Sequence, residues 1–203
     1  MTTVGGMKAS GRRAGTRLRL FAAAAELIAE QGYAATTVDA IAERAGVAKG
    51  TVFYNFGTKE ALFTGLLDHG IGLLADALSG AAAGGTAGET ALDALDSVVM
   101  AQLRFFEEYG AFARVLLAEM WRTAWQEAVA RLRADALGVY ADVLRRAVAE
   151  GAVREDLDVE TAATAVFGMV LTVAIERRAL HPDRPIERVH ATLVDLLRGR
   201  VAG

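Results

Sequence analysis

Between Lys49 and Asn55 the chain places Lys49, Gly50, Thr51, Phe53, Tyr54 and Asn55 within two helical turns. That set combines an ammonium, a hydroxyl, an amide, two aromatic rings and a residue with no side chain. No nucleophile is paired with a base here, so the chemistry is recognition rather than reaction. Donors and flat apolar faces on a short helix suit base edges and phosphates in a DNA major groove. Gly50 costs about 1 kcal/mol relative to alanine inside a helix, and a close approach to a DNA backbone would explain it. Lys59 adds an ammonium at the start of the next helix. Thr37 stands at a helix N-terminus, which suits a phosphate contact and equally suits a plain N-cap. Phe53 reads either as a contact or as core, and Phe56 as core. Tyr54 would be an unusual exposed ring without a partner.

These residues need a scaffold, and the stretch Thr36–Leu62 supplies one. Thr36 and Thr37 read as N-cap residues, with Asp39 at capping-box spacing. Ile41, Ala42 and Ala45 form the apolar face of a first helix, and Gly46 ends it in a left-handed turn. Val47 plugs the angle, and Ala48–Asn55 is the second helix. Gly57 breaks the chain again, and Thr58 caps a helix running to about Leu78. Ahead of this unit, Leu20, Ala23, Ala24, Leu27 and Ile28 mark an amphipathic helix from Arg13–Thr16 to Gln31, capped by Gly32. Met1–Ser10 is expected to be disordered without DNA.

Charge supports the same reading. The first sixty residues hold eight Lys/Arg against five Asp/Glu, and the remainder fourteen against twenty. Lys8, Arg12, Arg13, Arg17 and Arg19 precede the first acidic residue, Glu26. They read as a basic arm for phosphate or the minor groove, or else as a solvated tail.

The chain is 53% hydrophobic, has two prolines and no cysteine. Such a composition favours an all-α fold and excludes disulfides and cysteine-ligated zinc. His69, His181 and His190 are scattered, so no metal site is expected and no cofactor is implied. The longest nearly apolar run, Ala162–Ile175, falls short of the ~20 residues of a membrane span. No signal peptide is apparent, and the expected location is the cytoplasm, with no membrane partner.

Beyond a glycine-rich loop at 79–88, helical periodicity continues. It gives a fifth helix through Leu92, Leu95, Val99, Leu103 and Phe106, and a short sixth over about Ala111–Trp121. Thr123–Gln126 opens a seventh, with the stripe Val129, Leu132, Leu137, Tyr140, Leu144 and Val148, ended by Gly151. Asp158 caps an eighth helix that is apolar on nearly every side, and a ninth follows Pro185. Nine helices and no strand are predicted. The large residues Phe105, Phe106, Tyr109, Phe112, Met120, Trp121, Trp125, Tyr140, Phe167 and Met169 are either core or the lining of an adaptable apolar pocket. Gln102 and Glu119 could orient a polar group there, although Glu119 could instead form an exposed ion pair with Arg122. Val166, Val170 and Val173 on the eighth helix, with Leu193, Leu196 and Leu197 on the ninth, exceed what one domain needs. Packed against their two-fold copies, they would make an isologous four-helix interface, with Ala163 and Gly168 permitting close approach; the alternative is that the fifth helix covers this surface within the chain.

The first 65 residues resemble the DNA-binding domain of the TetR family of bacterial repressors. The resemblance is carried by Arg17, Ala23-Ala24, Leu27, Gly32-Tyr33, Thr36-Thr37-Val38, Ile41-Ala42, Ala45-Gly46-Val47, Lys49-Gly50-Thr51, Phe53, Asn55-Phe56 and Lys59-Glu60-Ala61-Leu62. The remainder is similar only in architecture, with Gly151, Arg154, Asp156 and Leu157 before the last two helices. The resemblance implies an N-terminal arm and helix-turn-helix domain at 1–57 and a helical ligand-binding and dimerisation domain at 58–203, linked by the fourth helix. It further implies a homodimer on a partly palindromic operator in double-stranded DNA, released by a small-molecule inducer. Similar proteins place Thr51, Phe53 and Tyr54 against DNA and bring Lys59 to a phosphate. Ala48 stands where many relatives carry a serine that caps the helix and bonds a phosphate, so that contact should be missing; Asn55 stands where histidine is common and can still bond phosphate, but without a positive charge. Rival readings are an activator or ligand-independent regulator and, from another class, a helical protein-interaction module. An enzyme is not supported.

Overall fold

The computed structural model describes residues 4–84, 88–119 and 125–199, with side chains from Arg13 onward. Among the described residues there are nine helices and no strand. They are α1 (Val4–Ala35), α2 (Val38–Arg44), α3 (Lys49–Phe56), α4 (Lys59–Ala83), α5 (Ala91–Glu108), α6 (Gly110–Glu119), α7 (126–149), α8 (Val159–Leu180) and α9 (Ile186–Leu197). Within α7, a π-helical turn at Arg133–Leu137 joins Gln126–Leu132 to Gly138–Ala149. Leu132 and Leu137, five residues apart, are both buried. The wider π turn keeps them on one face, which a 3.6-residue period would not.

Capping residues set the boundaries. The hydroxyls of Thr37 and Thr58 and the carboxylate of Asp158 accept from the backbone N–H groups of Ala40, Ala61 and Thr161. Gly32, Gly46, Gly57 and Gly151 sit at φ of 81°, 63°, 76° and 69°, where a Cβ would be strained. Ala48, as its side chain dictates, offers α3 no cap.

Three expectations are corrected. The chain is helical from Val4, because Lys8, Ala9, Arg12 and Arg13 continue the helix-forming composition of α1 through its glycines. Instead of ending at Leu78, α4 runs to Ala83, carried by the helix-favouring alanines 81–83. Its C-cap is Gly84. Thr36 is no cap but is buried, and its hydroxyl donates to the Gly32 carbonyl at 2.9 Å.

Residue 57 separates two helices but does not divide the core. One cluster of buried side chains runs from Leu20 through Ile41, Val52 and Phe63 to Val170 and Leu193. Helix α6 packs along α1, and α4 packs on α1, α5 and α7. Helices α4 and α8 are long and apolar enough to cross a membrane by length and composition alone. Here α4 buries Leu62, Phe63, Leu66, Leu67, Ile71 and Leu74 among its neighbours.

Helix α8 is more one-sided. Val166, Phe167, Val170 and Leu171 face inward, while Thr164, Ala165 and Thr172 are exposed. This corrects the expected dimer surface. Val166, Val170 and Leu193 are only 6%, 0% and 2% exposed and are used within the chain, because the packing of α5 against α8 and α9 selects that stripe for the interior. Val173 and Leu197 are half-buried and Leu196 is exposed.

Candidate nucleic-acid interface and ligand groove

Helix α3 is anchored by Val52, which is buried, and held from outside by α1. Arg17 donates Nη1 to the Asn55 carbonyl at 3.0 Å, and its guanidinium lies 4.2 Å from the centroid of the Phe56 ring. Arg13 lies 5.4 Å from the centroid of Tyr54. The basic residues of α1 therefore brace the reading helix as well as charging its flank.

The outward face of α3 carries most of the expected groups. Tyr54 is 74% exposed and Phe53 45%, which places Phe53 outside the core. Lys49 and Gly50 are exposed, and Thr51 is half-buried. A Cβ on Gly50 would meet nothing within 4 Å, so no contact among the described residues demands the glycine. Lys49 pairs with Asp39 at 2.8 Å, with both side chains exposed. Thr37 is exposed, and its oxygen accepts from Ala40 N–H at 3.1 Å while its own O–H remains to donate.

Two of the expected contacts are placed differently. Asn55 is turned inward at 9% exposure, with its amide donating to the Thr51 carbonyl at 2.7 Å. The carbonyl side of α3 near Asn55 faces Arg17 of α1, so this residue packs rather than reaches out. Lys59 is half-buried and donates to the carbonyls of Tyr33 and Thr36, each at 2.8 Å.

Where α1 ends, the head meets the body through Tyr33. Its N–H donates to the carboxylate of Glu119 at 3.2 Å, and its hydroxyl to Glu60 at 3.2 Å. The ring contacts Phe63 and Trp125, with centroids 4.9 and 5.2 Å away. Burial, reinforced by the charge and hydrogen bond of Glu60, pushes the Tyr33 phenol up to about 12. Glu119 is buried rather than exposed. Arg122, Met120 and Trp121, together with the cap read at Thr123, lie outside the described residues.

The expected pocket residues divide. Tyr140, Phe106 and Phe167 are core, with Tyr140 fully buried. Its phenol donates to Gln102 Oε1, and Gln102 donates to the Phe167 carbonyl at 3.0 Å. Burial pushes that phenol well above its ordinary range. Gln102 is thereby a satisfied core amide and not a ligand-orienting group. Trp125 is buried against Phe63 and Tyr33. Phe105 and Tyr109 do line a cavity, but a different one: a groove of about 620 Å3 between α1, α4, α5 and α6. Leu18, Phe21, Ala22 and Ala25 of α1 form one wall, and Leu66, His69, Gly70 and Leu73 of α4 the floor. Arg114 and Arg178 stand at its edge. Sequence periodicity did not disclose this groove. Its one local signal was Gly70, a helix-interior glycine of α4 that lines the groove and is approached by the ring of Phe112.

An exposed second helix of a helix-turn-helix, set on a larger helical body, defines a DNA-binding regulator. The chain belongs to the tetR family of bacterial regulatory proteins. The family model for those proteins matches residues 20–66, and the model of the tetracyclin repressor-like C-terminal domain matches residues 88–175. The HTH-type transcriptional repressor KstR2 of Rhodococcus jostii is 31% identical over 158 residues, 74% of this chain and 74% of that protein. Among solved structures, the TetR family transcriptional regulator PfmR of Thermus thermophilus superposes with a TM-score of 0.73 at 28% identity, covering 91% of this chain and 100% of that one. The transcriptional regulator FadR of Bacillus subtilis, solved with stearoyl-CoA, shares the fold with a TM-score of 0.77 at 22% identity, covering 91% and 98%.

Proposed function

We propose that this regulator is a repressor that binds a partly palindromic operator as a homodimer and leaves it when a small apolar or aromatic ligand binds. The observation that carries the DNA contact is the outward face of α3, where Tyr54 and Phe53 stand exposed beside Lys49 and Gly50. Neither ring is packed into the core, so both are available to a partner. Thr37 and Thr51 would add hydroxyls to phosphates. A lysine ammonium has three donors, and Lys59 uses two on carbonyls, leaving one for a phosphate. Asn55 contributes only by supporting α3.

The dimer would form through the outer faces of α8 and α9, using Gly168, Thr172, Val173, Leu196 and Leu197. Two copies of α3 would then sit about one DNA turn apart, near 34–36 Å. Helix α4 starts at Lys59 against the head and passes along the groove, so it is the natural lever. A ligand must bind the DNA-free arrangement better than the DNA-bound one for release to follow. The protein would work in the cytoplasm without a cofactor.

The test is a gel shift with DNA selected from random sequence at about 0.15 M salt. A selected sequence should outcompete bulk DNA, and Tyr54→Ala should abolish this while the dimer persists. Failure of any sequence to outcompete bulk DNA would sink the reading. Specific binding that no compound reverses would leave a ligand-independent regulator instead.

A further inference from the structure

The charges around the groove between α1, α4, α5 and α6 are not equivalent. Glu26, Glu108, Arg114 and Arg178 all line it. Glu26 is already paired with Arg44 at 3.0 Å. Glu108 is exposed and lies next to Tyr109 in sequence, and its proximity, with partial burial of the ring, raises the Tyr109 phenol above its ordinary value. Arg178 donates Nη1 to the Glu107 carbonyl at 2.8 Å, and its side chain passes so close to Gly110 that a Cβ there would lie 2.8 Å from Nε. Arg114 is left over. It is exposed and makes no hydrogen bond or ion pair among the described residues. Its electrostatic pull falls on Glu30, which Arg44 already holds at 3.1 Å. Beneath these charges the surface is apolar, built from Phe21, Ala25, Leu66, Leu73, Phe105 and Phe112.

We propose that this groove binds a monoanionic amphiphile, with an apolar body over Phe21, Leu66, Phe105 and Phe112 and a carboxylate paired with Arg114. Charge complementarity decides the class. Among the described residues Glu26 is ion-paired with Arg44, while the two guanidiniums at the edge, Arg114 and Arg178, make no ion pair and Arg114 makes no hydrogen bond either, so the groove attracts an anion rather than a cation. A planar guanidinium presents donors that match a carboxylate in two parallel hydrogen bonds. A volume of about 620 Å3 is that of a small-molecule site. Such an occupant would touch α1 and α4 together, the head and the lever, where the core around Tyr140 and Phe167 is closed by packing and by Gln102. The proposal rests on the ligand-responsive reading above, but the site can be tested separately.

Calorimetric titration of the full chain with dodecanoate, below its micelle concentration, is compared with dodecanol. Two exposed groove residues supply the variants, Arg114→Gln and Ala22→Trp, and thermal melts confirm that both fold. The parent should bind dodecanoate at least roughly tenfold more tightly than dodecanol. Arg114→Gln should reduce dodecanoate to the level of dodecanol, and Ala22→Trp, by filling the groove, should weaken both by roughly tenfold or more. Absence of dodecanoate binding overturns the ligand class. Undiminished dodecanoate binding by Arg114→Gln, or undiminished binding of both by Ala22→Trp, overturns the site. A gel shift on the same samples separates the two proposals. Binding as expected without DNA release upholds the groove as a site and refutes its part in operator release. Release by dodecanoate that Ala22→Trp does not weaken upholds repression and refutes the groove.

Discussion

Lys59 lies over the ring of Tyr33, its Nζ 4.2 Å from the centroid, and donates to the Tyr33 carbonyl at 2.8 Å. The same ammonium reaches the Thr36 carbonyl at 2.8 Å. Gly32, at φ 81°, kinks α1 just before its end, which brings the carbonyls of Tyr33 and Thr36 within reach of one ammonium. The first residue of α4 therefore closes the end of α1, and the reading head is tied to the lever at a helix terminus. A cation beside these carbonyls is favoured there for the same reason that cations favour helix C-termini.

Lys59→Ala should therefore do two separable things. Loss of the capping hydrogen bonds should lower stability by about 1–2 kcal/mol, read by urea unfolding. Loss of a phosphate contact should flatten the dependence of log K on log salt by about 1. A stability loss with an unchanged salt slope would show that Lys59 only caps α1 and makes no DNA contact.

The head was largely legible in the sequence because its determinants are local. Gly46 and Gly57 at positive φ, the Thr37 and Thr58 caps, and the Ile41–Ala42–Ala45 face each follow from a few neighbouring residues. What was hidden depends on distant partners. In an eight-residue helix, the face holding Asn55 is chosen by α1, 38 positions away through Arg17. Helix α8 reads as apolar on nearly every side, so its own period could not say which of its faces meets the core. The five-residue step from Leu132 to Leu137 did signal the π turn, but only once the burial of both leucines is known. Glu119 looked like a surface carboxylate by its spacing. It is buried and accepts from the backbone N–H of Tyr33, 86 positions away.

The glycines of α4 separate close packing from mere tolerance. A Cβ on Gly70 would lie 2.3 Å from the Phe112 ring, whereas one on Gly72 would meet nothing within 4 Å. Gly72→Ala should thus stabilise by about 0.5–1 kcal/mol through helix propensity. Gly70→Ala should destabilise by about 1–3 kcal/mol as Phe112 is displaced. Equal effects in denaturant titrations would mean that Phe112 does not key into α4.

Alkaline stability should be set by two tyrosines. Burial pushes the phenol of Tyr140 far up, and burial with Glu60 lifts Tyr33 from 10.0 to about 12. Both folded values lie above the unfolded one, so the stabilisation is complete below about pH 10 and declines as pH rises towards the folded values. Tyr140 should contribute a loss of up to about 1.4 kcal/mol per pH unit. Tyr33 should contribute less, because solvent screens it. Urea titrations at stepped pH test this. Tyr140→Phe should reduce the alkaline slope while costing about 1–3 kcal/mol at neutral pH, since Gln102 Oε1 loses its donor. An unchanged slope in that variant would mean that Tyr140 does not govern it.

The outer face of α8 makes the sharpest distinction between fold and assembly. Thr172 is exposed and Val170 is 0% exposed, two residues apart on the same helix. If the two-fold interface uses the outer face, Thr172→Arg should leave the thermal melt of the chain's own core nearly intact and yield monomers by sedimentation. Operator binding should fall with it, because a single head makes only half of the phosphate and base contacts. Val170→Ala should behave in the opposite way, costing about 1–3 kcal/mol of stability through the cavity it leaves while the folded fraction stays dimeric. A Thr172→Arg protein that remains a dimer would place the interface elsewhere. The small residues Ala165 and Gly168, on the same exposed or half-buried side, would then lack a packing role, since among the described residues no neighbour beyond the helix's own backbone lies within 4 Å of a Cβ at Gly168.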